Sequence, residues 1–169
     1  SGSSLEFYWR EYGDEDHAGD GVFVSTDGGS SWTKLLSFNG GPSSYRKDTL
    51  DLSAYDGQSI KVKFQFYDNW YMTSDGYAID NVKVTGSTSD DGGGSDTGDT
   101  GSPETVFNDD FESGSLGSTW TPYTTANGRV QVTTGTAYAG SYSMKLDCHT
   151  TSTFSYAAGI LDLNLSGYS

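Results

Sequence analysis

The sequence predicts an all-β protein, an antiparallel jelly-roll β-sandwich, and three observations carry that expectation. Runs of alternating apolar and polar residues recur along the chain, the clearest being IKVKFQF at 60–66. Gly, Ser, Thr and Asp clusters separate these runs, with 23 glycines but only 3 prolines, which favours short strands joined by turns. No long window carries apolar residues at the i, i+3, i+4, i+7 spacing of a helix. The hydrophobic fraction is 33% and the aromatic fraction 14%, so a few large rings are expected to fill a thin core.

The elements follow in order. LEFYWREY (5–12), GVFVSTD (21–27), WTKLLSF (32–38), DTLDLSAY (48–55), IKVKFQFYD (60–68) and YAIDNVKVT (77–85) read as strands. Turns rich in Gly, Asp and Ser bound each one. IKVKFQF is expected to bury one face and leave the other wet. Residues 86–104 contain no aromatic and no large aliphatic residue, so they read as a Gly/Ser/Asp-rich linker. Beyond it, VFNDDFES, STWTPYT, GRVQVTT, YSMKLDCHT and FSYAAGILDLNL read as further strands.

Residues 105–169 look like the opening of a domain, and residues 1–85 like its close. Joining the last residue to the first gives a connection with the same grammar as the internal stretch DTLDLSAYDGQSIKVKFQFYDNW (48–70). The expected sandwich is therefore assembled from the C-terminal segment followed by the N-terminal one. The halves pair within one chain or between copies; a tandem array or head-to-tail filament of neighbouring copies is the expected arrangement.

Read in that order, NDDFESGSLGSTW, GRVQVTTGTAYAGSYSMKLD, LEFYWREYGDE, DGVFVSTDGGSSW, LDLSAYDGQSIKVKFQFYDNW and DGYAIDNVKV resemble the bacterial MAM-like, or concanavalin-like, jelly-roll domains of secreted and surface proteins. The ordered set spans most of the chain, and no single piece is diagnostic. The resemblance implies two packed antiparallel sheets and a structural Ca²⁺ near the paired first and last strands. It implies ligands at Asp110 or Glu112, at Asp147 and at Asp80. It also implies a role in glycan binding, adhesion or spacing, and a secreted or cell-surface location. Carboxylates gathered on neighbouring strands need a cation or proton between them; the alternative is that these are solvated edge residues.

Further motifs carry chemistry of their own. STDGGSSW (25–32) matches the Asp-box, a structural hairpin in which Asp27 bonds turn amides, Gly29 takes a positive φ and Trp32 packs underneath. GDEDHAGDG (13–21) offers Asp14, Asp16 and Asp20 as a second calcium loop, or as a solvated loop, since the EF-hand ligand order is missing. Trp70, Tyr71, Tyr77 and Tyr8 are candidates for stacking on sugars, foremost Trp70 and Tyr71 in NWYMTSDGY. Trp9, Phe23, Trp32, Phe64 and Phe66 are expected in the core. Asn164 heads the N-glycosylation sequon Asn-Leu-Ser.

The net charge of −14 repels phosphate backbones and anionic membranes, which argues against nucleic-acid binding and membrane insertion. The single cysteine, Cys148, permits no intramolecular disulfide. His17 and His149 stand in different contexts with no nucleophile motif, and Arg10, Arg46 and Arg129 are scattered, so no catalytic residues are expected. The functional expectation is a non-catalytic, calcium-stabilised extracellular repeat, with a carbohydrate-binding accessory domain as the alternative.

Overall fold

A computed structural model describes residues 2–13, 17–68, 75–88, 103–125, 127–148 and 154–168. Eleven strands are present among them: β1 (Ser4–Tyr12), β2 (Gly21–Ser25), β3 (Thr33–Ser37), β4 (Arg46–Asp51), β5 (Ser59–Asp68), β6 (Gly76–Gly86), β7 (Glu104–Asp109), β8 (Trp120–Thr125), β9 (Gly128–Thr134), β10 (Tyr142–Cys148) and β11 (Ser155–Asn164). They form two antiparallel sheets, as an all-β sandwich requires. One runs β4-β1-β6-β10-β9; the other runs β3-β2-β5-β11-β8.

Strands from both ends of the chain share each sheet. Along one edge of β6, Gly76–Ile79 pair with β10 and Val82–Gly86 pair with β7. In the second sheet β11 pairs with β5 along its full length, from Ser155↔Asp68 to Asn164↔Ser59. The edges of the two segments also converge on Gly86. A Cβ there would lie 2.5 Å from the Tyr168 ring and 2.8 Å from Ser3 Oγ.

The alternation legible in β1 sets the core. Leu5, Phe7 and Trp9 are fully buried while Ser4, Glu6, Tyr8 and Arg10 are half-buried on the other face. The core is aromatic: Phe7 meets Phe64 edge-on at 5.1 Å, and Trp9 stacks on Phe38 at 4.3 Å. Among the described residues, both buried indoles find a carboxylate. Trp9 Nε1 donates to Asp48 Oδ2 at 2.5 Å and Trp120 Nε1 to Asp109 Oδ2 at 2.9 Å.

Two expected strands end early for local reasons. DTLDLSAY is a strand only to Asp51, whose Oδ1 accepts the Ser53 amide and starts a 3₁₀ turn over Ser53–Tyr55. VFNDDFES stops at Asp109, whose Oδ1 accepts the Phe111 amide; Phe111 then takes φ 59° with its ring fully buried. β5 departs from expectation in a different way. Its inner residues Val62, Phe64 and Phe66 are buried, but so are Lys63 and Gln65 on the opposite face, each at 8% exposure. That second face is therefore covered rather than wet.

Candidate functional site

The cover over β5 creates the site. Across the outer face of the second sheet, the register sets Lys34 beside Phe23, Phe23 beside Lys63, Lys63 beside Ile160, and Ile160 beside Thr121. One step along, Gln65 faces Ala158, which faces Tyr123, and beyond them Tyr67 faces Tyr156. Lys and Gln in the middle of this face would be solvated on a bare sheet. Here Trp32, from the turn between β2 and β3, lies over Lys63, and the Gly19 carbonyl accepts from Gln65 Nε2.

The hairpin is fixed by the Asp-box. Asp27 Oδ1 accepts the Ser31 amide at 2.9 Å, Asp27 Oδ2 accepts the Ser31 hydroxyl at 2.6 Å, and the Ser25 hydroxyl donates to Asp27 Oδ1 at 2.8 Å. These bonds, the Ser31 hydroxyl foremost, hold the Asp27 carboxyl well below the usual carboxylate range. Gly28 and Gly29 both take positive φ, 76° and 100°, which the turn needs. The result swings Trp32 back over the sheet. Its half-buried ring covers Lys63 instead of entering the core.

Trp32, Tyr123, Tyr156, Lys61, Lys63 and Ile160, with Gly28, Gly29 and Thr121, line a cavity of about 300 Å³. A second cavity of about 380 Å³ continues past Gly28 and Lys61 to Asp162 and Asn164. Lys61 and Asp162 form an ion pair where the two meet. The Lys63 ammonium lies 4.3 Å from the Trp32 ring centre, 4.9 Å from Phe23 and 5.9 Å from Tyr156. Burial among these rings lowers its pKa to about 8. Tyr156 donates its hydroxyl to Gln65 Oε1 at 2.9 Å, which fixes its ring at the groove wall. Tyr123 is 53% exposed and meets Tyr156 edge-on at 5.5 Å. The arrangement offers flat rings at the rim and hydrogen-bonding groups at the floor.

The site residues expected from sequence fall in several places. Trp70, Tyr71, Asp14 and Asp16 lie outside the described residues. Asp20 is fully buried: Oδ1 accepts the Tyr67 amide at 2.7 Å, and Oδ2 accepts the Tyr77 hydroxyl and the His17 amide, each at 3.1 Å. Burial raises its pKa to about 7. Tyr77, a candidate for sugar contact, is 1% exposed and belongs to the core. Tyr8 stacks on Tyr138 at 3.9 Å on the outer face of the first sheet. Phe23 and Trp32, expected in the core, sit half-buried on the outer face of the second. Asn164 is exposed, and its Oδ1 accepts the Ser166 amide at 3.0 Å.

The four carboxylates that the resemblance assigns to calcium do not share one site. Asp80 and Glu112 both hold the segment 138–142. Asp80 Oδ2 accepts the Tyr138 and Ala139 amides, and Glu112 Oε1 accepts those of Ser141 and Tyr142. Burial raises the Asp80 pKa. Asp110 sits on the same turn as Glu112 and accepts its amide at 3.2 Å. Asp147 stands apart. It is opposite Gly76, and Gly76 lies about 13 Å along β6 from Asp80 at ordinary strand rise. There it is neutralised by Arg129, bidentate at 2.8 and 2.6 Å, and by Lys145 at 2.8 Å. Among the described residues no group of three or more His, Cys, Asp or Glu is placed to hold a metal ion. Asp80, Asp110 and Glu112 thus gather around segment 138–142, while Asp147 lies along β6 from them.

Cys148 is buried, its thiol donating to Asp68 Oδ2 at 3.1 Å, and burial pushes its pKa up to about 12, which makes it a poor nucleophile. Among the described residues no helix is long and apolar enough to cross a membrane.

Fold and site thus define an all-β sandwich with an aromatic groove on one outer face. Sixty-four residues, 38% of this chain, are 36% identical to a stretch of Bacillopeptidase F from Bacillus subtilis (strain 168). The match spans 4% of that protein's length. No family model and no solved structure matches the chain.

Proposed function

We propose that this chain is a non-catalytic carbohydrate-binding module acting outside the cell, and that the groove on the β3-β2-β5-β11-β8 sheet receives the sugar. The observation that carries this reading is the placement of Trp32. A local turn with its own hydrogen bonds lifts the indole out of the core and sets it beside Tyr156 and Tyr123 along one cavity. Rings on a rigid sheet stack on the apolar faces of pyranoses, while Lys61, Asp162, Thr121 and Asn164 supply hydrogen bonds to hydroxyls. The partial likeness to a small stretch of a much longer peptidase supports an accessory role beside a larger chain. The acidic surface suits a module that works in the open and avoids anionic polymers in bulk.

Retention on a panel of insoluble and immobilised glycans tests the reading. The chain is expected to bind at least one neutral or sparsely charged glycan. Trp32→Ala and Tyr123→Ala are each expected to weaken that binding about ten-fold or more, the scale of a lost stacking contact. Both side chains lie on the outer face, so the variants keep the core. Full retention by both variants, or no retention of any glycan by the parent chain, would overturn the proposal.

A further inference from the structure

Lys63 is an anomaly in this chain. Acidic residues outnumber basic ones 23 to 9, yet among the described residues no carboxylate forms an ion pair with it. Its neighbours on the same face are engaged. Lys61 pairs with Asp162, and Lys34 donates to the carbonyls of Ala18 at 2.6 Å and Asp20 at 3.0 Å. Lys63 instead sits at 8% exposure, faced by Phe23, Trp32 and Tyr156. Rings attract a cation but leave its hydrogen-bond donors unused. A methionine or leucine would fill the space without the cost of desolvating a charge.

We infer that Lys63 makes the groove selective for a sugar bearing a single carboxylate, such as a uronic acid carried on an otherwise neutral glycan. The inference rests on the groove being a sugar site. Lys63 lines the same cavity as Trp32, Tyr123 and Tyr156, so a sugar held in that cavity lies beside the ammonium, which among the described residues has no carboxylate to neutralise it. The same electrostatics limit the ligand to few charges. A net charge of −14 repels a polyanion along its length, whereas one carboxylate in contact with Lys63 is shielded from distant acids beyond about 8 Å at physiological salt. The desolvated setting strengthens that one pairing relative to a surface contact.

Methyl glucosides and methyl glucuronides, in both anomers, are matched probes that differ in the oxidation of C6. Titrated into the full chain and followed by saturation-transfer NMR, one glucuronide is expected to bind about ten-fold more tightly than its glucoside, the scale of one desolvated charge pair. In Lys63→Met the two are expected to bind alike. Met matches the length of the lysine stem, and thermal melting reports whether the variant is folded. Lys63→Arg, which keeps the charge, is expected to keep the preference. Equal binding in the parent chain, or a preference that survives Lys63→Met, overturns the inference while leaving sugar binding in place. Binding of neither probe, together with no retention on the glycan panel, overturns both.

Discussion

The ammonium of Lys63 lies 4.3 Å from the centre of the Trp32 ring, so a charge and an indole from sequence-distant segments line one cavity. One is carried by a hairpin and the other by the middle strand of a sheet.

Lys63→Met is expected to stabilise the fold near neutral pH by about 1 kcal/mol, the net of a relieved buried charge and lost cation–π contacts. The sign of the pH dependence follows from its lowered pKa, about 8 when folded. Between pH 8 and about 10.4 the unfolded chain holds the proton more often, so the parent gains stability as pH rises through that window. Denaturant melts at pH 7, 8.5 and 10 check this. The parent's advantage from high pH should be absent in the variant.

Asp20 gives the opposite sign in a different window. Its folded pKa is raised to about 7 by burial. The folded state therefore holds the proton more tightly, and this contribution is fully present below pH ~4 and lost as pH rises through ~7. The loss amounts to as much as ~4 kcal/mol over that range. Asp20→Asn removes the titration, so its stability minus the parent's should grow steadily from pH 4 to 7. A constant difference across those pH values would contradict the assignment.

Asp27 reaches no ligand, yet it shapes the groove. Asp27→Ala deletes the acceptor for the Ser31 amide, the Ser31 hydroxyl and the Ser25 hydroxyl, and frees Trp32 from its turn. Sugar binding is expected to weaken about five-fold, the scale of one lost polar contact. The indole's fluorescence anisotropy should fall at the same time. Unchanged affinity would show that Trp32 is held by packing alone.

Gly76 marks the join between the two segments. It takes φ +152°, and a Cβ there would lie 2.3 Å from the Leu146 carbonyl of β10. Gly76→Ala is expected to cost about 2 kcal/mol or more by strain and by opening the β6–β10 pair. Chemical denaturation measures it. Gly57→Ala, also at positive φ but facing open space, serves as the comparison and should cost less.

The fold was readable in the sequence where period and turn chemistry agreed. Leu5, Phe7 and Trp9 alternate inward, and STDGGSSW forms the turn its residues demand. Strand ends were less legible because a single Asp side chain, at position 51 or 109, captures a downstream amide and breaks the run. The groove was harder still. Hydrophobicity assigns Trp32 and Phe23 to a core; the register of β2 on β5 sets Phe23 outside beside Lys63, and the Asp-box turn sets Trp32 against the same ammonium. The Asp-box was the available signal, since a short hairpin fixes where its tryptophan points. The spacing of the proposed calcium ligands was not legible either. Asp147 and Asp80 come from segments far apart in the chain, and only the β6–β10 register shows that Asp147 sits opposite Gly76, four residues from Asp80.

The most direct test is a ¹H–¹⁵N map of the full chain titrated with the glycan it retains best. Saturable shifts are expected at the Trp32 indole N–H and at the amides of Lys63, Tyr123 and Tyr156, with the buried Trp9 and Trp120 indoles unmoved. Shifts confined to Tyr8 and Tyr138 on the opposite sheet, or to the Trp70–Tyr71 segment, would contradict a sugar site in the groove.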